Sequence, residues 1–94
     1  MFSIYKYQLD ITDKQIIELP YGAIPLSVVN QRETICLYAR VNPEPIYKEK
    51  IKFEIYIHGT GHLIEEQEMF TSDFLGTVVL MAGSLVFHIF IRRI

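Results

Sequence analysis

The chain lacks a second cysteine, an excess of positive charge, a helical apolar stripe and any nucleophile motif, and each lack excludes something. Cys36 alone cannot form an intrachain disulfide, which suits a reducing cytoplasm. No nucleophile partner stands near it in sequence, so it reads as a small packing residue on a strand. Nine Lys and Arg against eleven Asp and Glu give a formal charge of −2, and the basic residues are scattered. A binder of long nucleic acid, which needs a basic patch or stripe, is not expected. Lys6 and Asp10 interrupt any apolar N-terminal run, so no secretory leader is expected either. No segment holds a 3.6-residue apolar period over three turns, and no repeat, linker or low-complexity tract divides the chain. An enzyme is not expected, and neither is a cofactor.

What the chain has is alternation. From Lys50 to His58, Ile51, Phe53, Ile55 and Ile57 fall on one side, and Lys50, Lys52, Glu54, Tyr56 and His58 on the other. Successive strand side chains point to opposite faces, so this pattern predicts a strand with one buried and one wet face, within a longer run from Ile46. Ile35, Leu37, Ala39 and Val41 repeat the pattern against Cys36, Tyr38 and Arg40. Shorter strands are predicted over 2–9, 14–19 and 26–30. They are separated by the turn-like Asp10-Ile11-Thr12-Asp13 and Pro20-Tyr21-Gly22, with Pro25 at a strand start or edge. Asn30-Gln31-Arg32-Glu33 predicts a hairpin turn, and Asn42-Pro43-Glu44-Pro45 a break. Residues 62–71 lose the alternation and predict a surface excursion or one helical turn, with Glu65, Glu66 and Glu68 solvated.

Phe74 to Ile91 runs eighteen residues without a formal charge, a length that touches the range of a membrane span. Gly83-Ser84 divides it and His88 interrupts it, while Val, Ile, Phe and Thr dominate. Two buried strands about a turn, 74–81 and 85–91, explain it better than a tail anchor. The last strand is apolar on both faces, which predicts a central position. Seven or eight strands in ninety-four residues predict one all-β domain over 1–94, an antiparallel β-sandwich (jelly-roll-like) or a small barrel. A chain this short leaves much surface exposed, which favours a homo-oligomer.

Chemistry is expected at the loop that ends the long strand: His58, Gly59, Thr60, Gly61 and His62. Glycines allow positive φ and close approach, and successive N–H groups can form a nest for a phosphate or carboxylate. Arg32, Arg92 or Arg93 are candidate counter-charges. The His58 and His62 spacing would suit a metal only on a helix, which Gly59-Thr60-Gly61 opposes, and His88 joins them only if the last strand passes nearby. No metal site is expected. Tyr5, Tyr7, Tyr21, Tyr38, Tyr47 and Tyr56 offer large areas with polar tips, as partner surfaces do and as strand positions also favour.

Several segments in order carry a resemblance. Ile16-Ile17-Glu18-Leu19-Pro20-Tyr21-Gly22-Ala23, Leu26-Ser27-Val28-Val29-Asn30-Gln31 and Ile35-Cys36-Leu37-Tyr38-Ala39 lead, followed by Gly59-Thr60-Gly61-His62, Phe74-Leu75-Gly76-Thr77-Val78 and Gly83-Ser84-Leu85-Val86-Phe87-His88. From about Tyr7 to Ile91 the chain resembles a family of small bacteriophage proteins without a defined function. Glu33 stands where a glycine would be more usual in the hairpin turn. The resemblance implies a viral product acting in the host bacterial cytoplasm. The function it implies is non-enzymatic binding against host defence, by sequestering a nucleotide second messenger or occluding a host defence protein. A minor virion structural or assembly protein is the alternative, and a modulator of a host enzyme acting by strand addition is a third.

Overall fold

Strands with one apolar face need a second layer to cover it, and this chain supplies one by folding into two antiparallel sheets. The computed structural model describes residues 1–44 and 48–94. In chain order the strands are β1 (Ser3–Gln8), β2 (Lys14–Pro20), β3 (Ile24–Gln31), β4 (Thr34–Val41), β5 (Lys50–Gly59), β6 (Asp73–Leu80) and β7 (Leu85–Arg93). A six-residue helix, α1 (Glu66–Thr71), precedes β6, and a tight turn of positive-φ residues, Met81–Gly83, links β6 to β7. One sheet has the order β1-β4-β3 and the other β2-β5-β7-β6.

This is the expected antiparallel sandwich, with the two strongest alternating segments inside it. Ile35, Leu37, Ala39 and Val41 of β4 face Ile51, Phe53, Ile55 and Ile57 of β5 across the core, joined by Leu19, Val28, Val78, Leu80, Ile89 and Ile91. The doubly apolar last strand is central, between β5 and β6. The uncharged C-terminal segment is the β6–β7 hairpin, and no helix among the described residues is long and apolar enough to cross a membrane. The expected start of the long strand at Ile46, with Tyr47 and Pro45, lies outside the described residues. Pro20 and Pro25 both fall within strands rather than between them, and both strands are at sheet edges, where a missing N–H is tolerated.

The two sheets approach each other most closely where β3 runs beside β6. The strands are not partners in a ladder; side chains join them. Asn30 Nδ2 donates to the Val79 carbonyl at 2.9 Å. Gly76 sits so close to β3 that a Cβ there would lie 2.8 Å from Val28 Cγ2. At the start of this seam both strands break register, between Pro25 and Ser27 on β3 and between Phe74 and Gly76 on β6.

The face of β5 expected to be wet is only partly so. Glu54 is 5% exposed and Tyr56 6%, as buried as the core residues behind them. Flanking side chains from β2 and β7 enclose Glu54, and the stretch after β5 turns back over this face, where α1 ties down at His58. The sequence shows which residues share a strand face but not which later segment returns to cover it.

Gly76→Ala is expected to destabilise the protein by about 1–3 kcal/mol in urea unfolding, because the stiff Val28 side chain cannot swing aside. Combining it with Val28→Ala should lose less than the sum of the two single changes. Strictly additive losses would show that the steric contact is not what demands glycine.

Candidate functional site

The glycine loop after β5 folds onto the outer face of the four-stranded sheet. The His62 amide donates to the Gly59 carbonyl at 3.1 Å, the Gly59 amide to His62 Nδ1 at 3.3 Å, and the Thr60 amide to the Val86 carbonyl at 3.3 Å. Gly61 takes a φ of +88°, where side chains other than glycine are strained, and a Cβ on Gly59 would meet the His62 ring at 2.9 Å. Both glycines therefore serve the turn itself. Three of its four amides are engaged inside the protein, so an anion nest here would require those bonds to open.

The β5–β7 register sets His58 directly opposite His88, and the β6–β7 register adds Thr77 beside His88. The last strand does pass nearby, but the two imidazoles take separate partners. His58 Nε2 lies 2.5 Å from Glu68 Oε2, which ties α1 to the sheet. His88 bridges two hydroxyls, Thr60 Oγ1 at 2.7 Å from Nε2 and Thr77 Oγ1 at 3.0 Å from Nδ1. A neutral imidazole has one donor and one acceptor nitrogen, so one threonine donates to the ring and the other accepts. With both nitrogens occupied, His88 anchors the loop and has no lone pair left for a metal. No group of three metal-ligating side chains occurs among the described residues.

Beside this row stands a charged cluster. Glu54 accepts from Lys14 Nζ at 2.7 Å, from Arg92 Nη2, and from the Tyr56 hydroxyl at 3.0 Å. The Lys14 ammonium first, then the Arg92 guanidinium, hold the Glu54 carboxyl down to about 2 against the opposing effect of burial. Tyr56 is pushed up by burial and then by the hydrogen bond it gives to the Glu54 carboxylate. A groove of about 280 Å³ runs alongside, lined by Lys14, Tyr56, Glu65, Glu68 and Arg92. Its cations are already matched by acids, which disfavours an added anion. Arg92 is thereby removed from the expected counter-charges.

Arg32 is not near the glycine loop; it belongs to the opposite outer face, on the three-stranded sheet. Arg32 and Glu33 form a two-residue hairpin turn with φ of 54° and 63°, a conformation in which glycine or asparagine is usual. The strain is compensated locally. Asn30 Oδ1 accepts from the Glu33 amide at 2.8 Å, and Glu33 Oε2 accepts from the Met81 amide at 2.7 Å, joining the two hairpin tips. The glutamate in the glycine position thus gains a role that glycine lacks.

At the base of this turn lies a groove of about 340 Å³, lined by Lys6, Gln8, Gln31, Arg32, Thr34 and Cys36. β1 and β4 align Gln8 with Cys36, and β3 and β4 align Gln31 with Thr34, so these side chains share the outward face. Gln31 Oε1 accepts from the Tyr38 hydroxyl at 2.8 Å, which fixes that amide. Lys6 and Gln8 alternate with Tyr5, Tyr7 and Leu9 along the first strand. Their meeting with Arg32 depends on β1 pairing with β4, which no local pattern announces.

A family profile described as a domain of unknown function (DUF7352) matches residues 1–93, and the chain belongs to that family. No curated protein matches the chain, and no solved structure does.

The Glu54 cluster predicts acid sensitivity with a definite sign. A folded-state value near 2, below the ordinary 4.5, contributes stability that is complete above pH 4.5 and lost as the pH falls toward 2. Glu54→Gln should melt at a lower temperature than the parent at pH 7, and the gap should close toward pH 2. A gap independent of pH would rule out the carboxylate as its source.

Proposed function

We propose that the chain is a non-enzymatic binding protein that holds a small phosphate-bearing ligand at the groove between Lys6 and Arg32. One observation carries this reading. Two cations without an ion-pair partner line one groove that no acidic side chain lines, among the described residues. Gln8, Gln31 and Thr34 add amides and a hydroxyl, the groups that orient a nucleotide's sugar or base once charge has drawn the phosphate in. About 340 Å³ suits a ligand of that size. The loop of His58, Gly59, Thr60, Gly61 and His62 supports the opposite sheet face in this reading. With a phage protein in the host cytoplasm, as the resemblance implies, the ligand is a nucleotide signal of a defence pathway, held and not transformed.

The alternative, a virion or assembly component, is favoured by one feature. Among the described strands β1 is a sheet edge, and Phe2, Ile4 and Tyr5 on or beside it are exposed. Such an edge invites strand addition by a second copy or by a host protein.

A melting-temperature panel of inorganic phosphate, mononucleotides and cyclic dinucleotides should give a ligand-dependent rise, since binding to the native state raises stability. Lys6→Gln and Arg32→Gln should each weaken that ligand about tenfold, the usual loss for one charge-assisted hydrogen bond. No shift with any phosphate compound would remove the reading. Detection of the chain in purified particles by mass spectrometry would favour the alternative.

A further inference from the structure

The seam between the sheets opens at the end of β3 opposite the Arg32 turn. There both strands break register, at Leu26 on β3 against β4 and at Leu75 on β6 against β7, just beyond the tight Val28–Gly76 approach. Bulges that turn strands apart are enriched beside binding sites. The result is a cleft of about 330 Å³ between the sheets. Its apolar lining includes Phe53 and Ile91, core residues each 7% exposed, together with Pro25, Leu26 and Leu75. Phe74, 60% exposed, stands at its side.

Two charged residues line the same cleft, Asp73 and Arg93. Their register positions are unusual for charge. Asp73 stands opposite Ile91 and Arg93 opposite Phe53, so both fall in register on the core-facing side of the sheet, at strand ends where they are exposed. They form no ion pair with each other, and neither has another ion-pair partner among the described residues. A lone cation would suit an anion, but Asp73 beside it would repel one. An apolar floor under one cation and one anion is complementary to a molecule carrying both charges and a hydrocarbon group.

We infer that this cleft binds a small apolar zwitterion, of which a hydrophobic α-amino acid is the simplest case. Arg93 takes the carboxylate, Asp73 the ammonium, and Phe53, Leu75 and Ile91 receive the side chain. The site is independent of the phosphate groove, which lies at the other end of β3 on an outer face. A peptide terminus carries only one of the two charges and is not the expected occupant.

Calorimetric titration of the full chain tests this with L-phenylalanine, phenethylamine, 3-phenylpropanoate, N-acetylphenylalanine and glycine. Phenylalanine should bind, and each of the other four at least tenfold more weakly, since each lacks one of the three recognised features. Arg93→Gln should weaken phenylalanine about tenfold while leaving phenethylamine unchanged. Asp73→Asn should weaken phenylalanine similarly while leaving 3-phenylpropanoate unchanged. The comparison of ligands on the unaltered chain stands even if a variant folds poorly. No heat with phenylalanine, or equal binding of 3-phenylpropanoate or N-acetylphenylalanine, would overturn the assignment. So would variants that bind phenylalanine normally but self-associate, which would make the inward charges guards of a sheet edge.

Discussion

The close approach of Val28 to Gly76 governs how the two sheets are joined. β3 and β6 are both sheet edges, and edges left unpaired tend to recruit other strands. Here they lie against each other without sharing a ladder, and a missing Cβ lets them come near enough for side chains to finish the join. On one side of this point Asn30 reaches Val79, and Glu33 reaches Met81, so the sheets are fastened at the hairpin tips. On the other side both strands step out of register, and a cleft lined by both lies there. One contact therefore separates a closed end from an open one.

Pairing of charges across the outer faces decides which cations are left for other work. Glu54 engages Lys14 and Arg92 on the four-stranded sheet, and Glu68 of α1 engages His58 on the same face. These bonds cover a polar row that would otherwise be wet, and they bring the segment after β5 back onto the sheet. On the three-stranded sheet no carboxylate among the described residues pairs with Lys6 or Arg32. At the open end of the seam a carboxylate and a guanidinium line one cleft without pairing. The same residue types thus have three different roles, set by strand register and not by composition.

Much of the fold was legible because strand periodicity is local. The inward rows of β4 and β5 and the central place of β7 followed from alternation and from apolar residues on both faces. The sites were less legible, because they depend on which strands lie side by side. Arg32 was singled out as a counter-charge for the glycine loop, yet β1–β4 pairing sets it with Lys6 and Gln8 on the far face. Arg92 and Arg93 are neighbours in sequence with opposite fates, since adjacent strand residues point to opposite faces; one meets Glu54 and the other lines the seam. His88 did come beside His58, but Thr60 and Thr77 occupy its ring. Glu33 showed only as a departure from glycine, and its reach to Met81 is a tertiary fact.

Positive φ at Arg32, Glu33, Met81 and Ala82 places four strained, non-glycine residues in the two tips that meet. Such strain persists only where surrounding bonds over-determine it; Asn30 Oδ1 holds the Glu33 amide within one tip, and the Glu33 carboxylate accepts from the Met81 amide of the other. Two hairpins held this way cannot slide along each other without breaking that bond. The seam is then fixed at the tips and at Val28–Gly76, two points along one line. A line fixed at two points sets the direction in which β3 and β6 continue, so the gap beyond Leu26 and Leu75 belongs to the fold itself. A ligand entering it meets walls already apart, and the ordering that usually opposes binding is correspondingly small.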